Sequence, residues 1–134
     1  MCSYTGYSKV RIISFGWTWP ALLAEGALQK TVTRRQWDAG YAMLFKVGEL
    51  IQAYDKSPRF KGKKIATIKL LAAPYLENIN KMPDSDYEGE GFAYLNANRY
   101  LLPKTMPYDV SRAGFEAWRK SGESFWVIRF ERVK

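Results

Sequence analysis

Four stretches of the chain have the composition of β-strands. Residues 9–15 and 49–55 are rich in β-branched and aromatic side chains and lie next to turn-forming residues. Residues 64–73 alternate apolar with polar positions, which is the pattern of a strand with one buried face. Residues 124–133 are strongly β-prone and predict a closing strand. Strands are therefore expected near both ends of the chain as well as in its first half.

Three short helices are predicted between these strands. The first spans residues 19–25 and ends at a glycine, and the second lies within residues 37–48, where apolar side chains recur at spacings of three and four. The third follows Ser111, a favourable N-cap, and ends at Gly122. Residues 74–107 are irregular and contain several glycines, so we expect short turns of helix there and no strands.

These elements predict a single α+β domain that spans residues 1–134. A chain of 134 residues with 47% hydrophobic and 16% aromatic side chains can bury a core. Strands at opposite ends of the chain can pair only by meeting in space, and the helices lie between them. We therefore expect a small mixed β-barrel with short flanking helices.

Two scarce residue types limit the chemistry. The chain contains Cys2 as its one cysteine and no histidine, so it forms no internal disulfide and lacks the commonest general base and zinc ligand. We expect no metal and no cofactor, and catalysis would use lysine, threonine, serine, tyrosine or carboxylates. The chain has no apolar run of roughly 20 residues and no signal pattern, so we expect a cytoplasmic protein without a membrane partner.

The positive charge of the chain indicates an anionic partner. The net charge is +8, with the excess in residues 1–64 and 111–134, whereas residues 65–110 carry more acidic than basic side chains. This distribution favours RNA or another single-stranded nucleic acid, although a basic protein without such a partner has the same totals. The densest basic cluster is the predicted hairpin tip KSPRFKGKK, residues 56–64, which we call the basic hairpin.

Two parts of the chain could contact a nucleic acid directly. In the basic hairpin, Arg59, Lys61, Lys63 and Lys64 would hold phosphates while its phenylalanine stacks on a base. Alternatively, these charges protect an exposed sheet edge from aggregation. Trp17 could provide a stacking surface for a base or could belong to the core.

Several runs of the sequence resemble the ASCH domain family, a branch of the PUA-like β-barrel superfamily: EGALQKTVTRRQW, KVGELIQAY, SDYEGEGF, GFEAWRK and FWVIRFERV. The resemblance covers most of the chain, in order. It implies a barrel with a cleft beside it and a role in RNA metabolism, translational control or recognition of modified nucleosides. One branch of the family is similar to small amidases that remove acyl groups from cytidine with a lysine, a threonine and a glutamate.

The resemblance assigns these three roles to residues of this chain. The lysine and threonine of the family's Lys-x-x-Thr fall on Lys30 and Thr33, and its glutamate falls on Glu90, with Glu88 as a second candidate. Residues 93–110 are longer and more aromatic than the same region of the minimal amidases. Lys30 would accept the proton of Thr33, which lies within reach if the backbone there is helical or turned, and the glutamate would protonate the leaving amine or orient the lysine.

A structural alternative uses the same residues without turnover: Lys30 pairs with Glu90 across the cleft while Thr33 caps a turn. Both interpretations require Lys30 and Glu90 to converge on one concavity. Arg34 and Arg35 point to opposite sides of a regular backbone, so we expect one of them to face the cleft and bind a phosphate or an oxyanion. We favour Arg34 for this role and expect the other arginine to pack on Trp37 or Tyr41.

The sequence thus supports two functions of different classes. The first is binding of a nucleic acid or of a modified nucleoside or nucleotide. The second is an amidohydrolase that acts on an acylated nucleoside. A ribonuclease is a third possibility, but it would need a cluster of lysine, tyrosine and serine or threonine that the sequence alone does not assemble. The sequence leaves the oligomeric state open.

Overall fold

A computed structural model describes residues 10–134, which form a mixed α+β domain; Cys2 and the start of the first predicted strand lie outside these residues. Within them, the strands are β1 Ile12–Ser14, β2 Val32–Arg35, β3 Leu50–Tyr54, β4 Lys64–Leu70, β5 Tyr75–Asn78 and β6 Ser124–Val133. The α-helices are α1 Trp19–Leu22, α2 Ala39–Ala42, α3 Asp86–Gly89, α4 Phe92–Ala97 and α5 Arg112–Arg119. No helix among these is long and apolar enough to cross a membrane.

The last strand, β6, is the organising strand of the sheet. Its residues 126–129 pair with β2 on one side, and on the other side residues 124–127 pair with β5 and residues 130–133 with β4, all antiparallel. β3 pairs antiparallel with β4, and β1 adds to β3 as a parallel strand. The order of the main path is therefore β1-β3-β4-β6-β2.

The sheet is open, which corrects the expectation of a closed barrel. β1 and β2 lie at the two ends of the strand order and are not paired with each other in the described part of the chain. β1 ends after three residues because the chain turns at Gly16, whose φ is +60°, into the 3-10 turn Gly16–Thr18. The space between these two strand ends becomes part of a cavity.

Two clusters of buried apolar side chains hold the elements together. The larger cluster joins the sheet to the α1 and α2 segments and consists of Ile13, Phe15, Leu22, Phe45, Ile51, Ala53, Ile68, Leu70, Ile128 and Phe130. The smaller cluster lies under α5 and consists of Ile79, Met82, Tyr87 and Phe115. Burial of this apolar surface is the main favourable contribution to folding.

Several predicted elements are confirmed. Residues 49–55 and 124–133 form β3 and β6, and residues 64–73 form β4, which ends at Leu70. The third helix begins after Ser111, whose Oγ accepts a hydrogen bond from the N–H of Gly114 at 3.3 Å. The first helix is shorter than predicted, because only Trp19–Leu22 is α-helical and a 3-10 turn precedes it.

Two strands were not expected. Residues 74–107 contain β5, Tyr75–Asn78, so the prediction that this region has no strand was wrong. β5 forms because β6 extends beyond the end of β4 and offers residues 124–127 for pairing. The segment Val32–Arg35 is strand β2, not a turn, because it pairs with residues 126–129. In both cases a distant partner determined the local structure.

Candidate functional site

A cavity of about 610 Å³ lies at the open side of the sheet. Its walls come from the end of β1 and the following 3-10 turn, from β2, from the corner between α3 and α4, and from α5 and the start of β6. Polar side chains that line it include Lys30, Thr33, Arg34, Arg35 and Glu90, and aromatic ones include Phe15, Trp17, Phe92, Tyr108, Phe115, Trp118 and Phe125. A volume of this size is typical of small-molecule sites.

Lys30 and Glu90 meet in this cavity, so the predicted convergence of these two residues is confirmed. Lys30 Nζ donates to the Glu90 backbone oxygen at 2.8 Å and lies 3.3 Å from Glu90 Oε1. Both residues are buried, and only 1% of Lys30 is exposed. Glu88, the other candidate acid, neither lines the cavity nor pairs with Lys30. Of the two candidate acids, Glu90 is therefore the one that lies beside Lys30.

Backbone hydrogen bonds bring this pair together across sixty positions of sequence. The N–H of Lys30 donates to the carbonyl of Ala21 at 3.0 Å, which ties the start of β2 to α1. The N–H of Thr31 donates to the carbonyl of Gly89 at 2.7 Å, which ties it to α3. Glu90 directly follows that helix and is thereby held beside Lys30.

Burial lowers the pKa of Lys30 to about 8. Removal of water from the ammonium group is the main cause, and the positive charges of Arg35 and Arg34 act in the same direction, while Glu90 opposes them. A lysine with this pKa is partly neutral near physiological pH. Such an amine can accept a proton, which an ordinary surface lysine does not do at that pH.

Arg34 forms ion pairs with three carboxylates. Its guanidinium donates to Glu90 Oε2 at 2.8 Å, to Asp86 Oδ2 at 2.6 Å and to Glu77 Oε1 at 2.9 Å. The guanidinium of Arg129 also donates to Asp86, to Oδ1 at 3.0 Å and to Oδ2 at 2.9 Å. Burial opposes the charge on Arg34, but these carboxylates outweigh it and hold its pKa above the usual value. Arg34 lines the cavity, as we favoured, and holds Glu90 in position, while its role as the anion-binding arginine stays a prediction.

Arg35 also lines the cavity, so the expectation that only one of the two arginines would do so was wrong. Its Nε donates to Thr33 Oγ1 at 3.1 Å, and its guanidinium lies 5.4 Å from the centre of the Phe15 ring. It makes no cation–π contact with Trp37 or Tyr41, the rings on which we expected the second arginine to pack; those two rings pack with each other and with Phe45. Burial lowers the pKa of Arg35, and the charge of Glu90 partly offsets this effect.

Thr33 is buried on β2, opposite Ile128 of β6. Because the backbone is extended there, Thr33 does not cap a turn, and the helical or turned geometry required for a local Lys30–Thr33 contact is absent. The Thr33 hydroxyl accepts a hydrogen bond from Arg35 and makes none with Lys30. Both side chains nevertheless line the same cavity.

Trp17 belongs to an aromatic group in the cavity wall. Its ring lies 5.8 Å from that of Phe92, almost parallel at 6°, and 5.8 Å from that of Tyr108 at 21°. Phe92 packs in turn on Phe115 and Trp118. Tyr108 is 62% exposed, so it forms the outer end of this group.

The basic hairpin is separate from the cavity. Arg59, Lys61, Lys63 and Lys64 are exposed and do not line it, and Phe60 is 67% exposed. Lys61 adopts a left-handed backbone conformation, with φ of 65°, after the 3-10 turn Pro58–Phe60. The structure thus divides the predicted binding residues into a cavity group and a surface group.

Sequence reasoning missed the residues that support the site. Asp86, Glu77 and Arg129 complete the ion-pair network around Arg34, and Phe92 extends the aromatic wall. The acidic excess of residues 65–110 was the available signal, since these carboxylates neutralise cations of the flanking segments. Among residues 10–134, no group of three or more histidine, cysteine, aspartate or glutamate side chains could hold a metal ion.

Comparison with protein-family models, with curated proteins and with solved structures found no match to this chain.

Proposed function

We propose that the protein binds a nucleoside or nucleotide, free or as an unpaired base of RNA, in the cavity beside β2. The observation that carries this proposal is that one cavity combines a group of nearly parallel aromatic rings with a buried, hydrogen-bonded set of charged side chains. Aromatic rings offer π-faces to any base, and amine, hydroxyl and carboxylate groups can recognise the edge of a base. The volume of about 610 Å³ accommodates a ligand of that size.

The resemblance of the sequence to the ASCH domain family supports the same proposal. Members of that family and of the PUA-like superfamily are expected to act in RNA metabolism or on modified nucleosides, in a cleft beside the sheet. Lys30, Thr33 and Glu90 fall on the positions that carry the family pattern, and all three line the cavity. A cytoplasmic protein of RNA metabolism fits this assignment.

Binding can be tested by a thermal-shift screen of ribonucleosides, including N4-acetylcytidine, followed by calorimetric titration of the compounds that raise Tm. Replacement of Trp17 by alanine should weaken binding by roughly 5- to 100-fold, because base stacking on an aromatic ring is worth about 1–3 kcal/mol. Tyr100→Ala is the matched control, since Tyr100 is 82% exposed and does not line the cavity. Absence of any shift at millimolar ligand would contradict the proposal.

The basic hairpin would contribute contacts to phosphates if the ligand is part of an RNA strand. Its four cations and the exposed Phe60 are accessible from solvent, as an RNA-binding surface requires.

A second candidate function is hydrolysis of an amide on an acylated nucleoside. It is favoured by one observation, the lowered pKa of Lys30 in a cavity that also contains Thr33 and Glu90. In this mechanism neutral Lys30 takes the proton of Thr33, and the threonine oxygen attacks the amide carbonyl carbon. Lys30 then returns the proton to the leaving nitrogen as the C–N bond breaks, and water hydrolyses the resulting ester.

In this scheme Glu90 orients Lys30, and Arg35 stabilises the developing oxyanion. Incubation with N4-acetylcytidine should release cytidine and acetate, which chromatography detects. Thr33→Val keeps the shape of the side chain and should reduce the rate by at least about 100-fold, the usual minimum for proton-transfer catalysis, whereas Lys64→Met on the basic hairpin should leave it unchanged. Full activity in Thr33→Val would exclude this mechanism.

A further inference from the structure

One cation of the cavity has no anionic partner in the described part of the chain. Lys30 and Arg34 both pair with Glu90. Arg35 differs, because within residues 10–134 its one hydrogen bond runs from Nε to Thr33 and no carboxylate oxygen lies within 4.0 Å of its guanidinium. The two terminal nitrogens of Arg35 therefore have no acceptor within the described residues.

These two nitrogens are accessible from the cavity. Among residues 10–134, no fully buried side-chain nitrogen or oxygen lacks a hydrogen-bond partner. Since the terminal nitrogens of Arg35 make no hydrogen bond within residues 10–134 and Arg35 lines the cavity, they face space that a ligand can enter. Glu90 acts on Arg35 only from beyond ion-pair distance. A half-buried guanidinium without a direct ion pair in the described residues is a favourable place for an anion, because burial strengthens the attraction.

The side chain of Arg35 is also held in place before any ligand arrives. The bond to Thr33 fixes Nε, and the Phe15 ring supports the guanidinium from 5.4 Å. Arginine stays protonated over the whole physiological pH range. Its planar fork of donors matches the two oxygens of a carboxylate or a phosphate, and little side-chain entropy remains to be lost on binding.

Charges at the rim of the cavity indicate where the anion would lie. Asp109 and Glu123 line the cavity but are exposed, so they lie at its mouth. These carboxylates repel an anionic group that stays near solvent. An anion that contacts Arg35 is instead placed inside the cavity, next to Thr33 and away from the exposed rim.

We propose that the ligand of this cavity carries an anionic oxygen group, a phosphate or a carboxylate, that binds the terminal nitrogens of Arg35. The inference rests on the proposed nucleoside or nucleotide binding and specifies the chemical group that the ligand presents. A phosphate would come from a nucleotide, and a carboxylate would come from a modified base. Both groups use the same fork of donors.

The experiment compares affinities by calorimetric titration for three sets of ligands: the four ribonucleosides, their 5′-monophosphates, and 5-carboxycytidine with 5-carboxyuridine. The proteins are the wild type, Arg35→Gln and Lys46→Gln, an equal loss of charge at an exposed residue that lies outside both the cavity and the basic hairpin. Arg35→Lys, which keeps the charge but loses the fork, is measured as well. Circular dichroism and Tm verify that each variant is folded.

The wild type should bind one anionic set at least about tenfold more tightly than the parent nucleosides, since a charge-assisted hydrogen bond contributes that much or more. Arg35→Gln should lose this preference, Arg35→Lys should keep part of it, and Lys46→Gln should keep all of it. Equal affinity of the wild type for anionic and neutral ligands would overturn the inference but leave nucleoside binding intact. The same preference in Arg35→Gln would also overturn it, and failure of every ligand to bind would overturn the proposed function itself.

Discussion

The Cα of Gly91 approaches Ala21 so closely that a Cβ on Gly91 would lie 2.6 Å from the Cβ of Ala21. Gly91 also has a φ of +91°, a backbone conformation that residues other than glycine rarely adopt. This contact presses the start of α4 against α1, and the residue before it is Glu90. The position of the site carboxylate thus depends on a glycine that has no polar group in its side chain.

We therefore expect Gly91→Ala to destabilise the protein for two separate reasons. The positive φ costs about 1–3 kcal/mol, and the overlap with Ala21 adds a penalty of about 1–3 kcal/mol. Gly122→Ala is the control, because Gly122 has a φ of +76° but open space around it. Chemical denaturation should show a larger decrease in the free energy of unfolding for Gly91→Ala than for Gly122→Ala. Equal decreases would mean that the close approach to Ala21 does not affect stability.

Arg34→Met should be among the most destabilising single substitutions at the site. It leaves Asp86 and Glu90 buried without their shared cation, and breaking a buried ion pair in this way typically costs about 3–5 kcal/mol. Lys134→Met removes an exposed pair with Glu25 and should change stability by less than about 1 kcal/mol. A similar, small effect of both substitutions on urea unfolding would contradict the structural importance of the network.

Stability should rise with pH between about 8 and 10.5 through Lys30. Because the folded pKa of Lys30 is about 8 and its ordinary value is 10.5, the unfolded chain binds more protons than the folded chain in this window. The free energy of unfolding therefore increases with pH there, and the penalty for burying the ammonium is fully present below pH 8. Lys30→Met removes this contribution.

The pH prediction is tested by urea unfolding of wild type and Lys30→Met at several pH values. The difference in unfolding free energy, wild type minus variant, should increase from pH 8 to 10.5. Comparing the two proteins cancels titrations that they share, such as that of Tyr87, whose pKa burial raises. A constant difference across this range would show that Lys30 has an ordinary pKa.

RNA binding through the basic hairpin should depend steeply on salt. Each cation that contacts a phosphate of a single strand contributes a slope of about −0.7 to the plot of log affinity against log salt concentration. Neutralising Lys61, Lys63 and Lys64 should flatten this slope, whereas neutralising Lys46 and Lys120, exposed lysines outside the hairpin, should not. Fluorescence anisotropy with single-stranded RNA at low salt measures both effects, and no binding by the wild type would dismiss the hairpin as an RNA contact.

The sequence predicted the elements whose own composition is decisive. Residues 49–55 and 124–133 are strands because their side chains favour that conformation, and Ser111 caps α5 as its side chain predicts. β2 and β5 escaped prediction because each forms only by pairing with the long strand β6. Open sheet edges likewise depend on where a partner strand ends, which no local pattern encodes.

The site residues likewise include some that the sequence predicted and others that it did not. That Lys30 and Glu90 would share one concavity came from the family pattern, and the structure brings them together. The different tasks of Arg34 and Arg35 could not be predicted, since they depend on which arginine meets the carboxylates of the acidic middle segment. Neighbouring residues of one type acquire different roles through contacts that lie more than forty positions away.

The arrangement of strands around β6 has a consequence for synthesis of the chain on the ribosome. In the described part of the chain, β2 and β5 pair with β6 alone, and β4 pairs with β3 on one edge and with β6 on the other. All three strands remain without this common partner until residues 124–133 have left the exit tunnel. Until that moment the nascent polypeptide exposes unpaired strand edges that can associate with other chains. A translation product truncated before residue 124 would therefore be a substrate for chaperones and proteases and would not contain the assembled cavity.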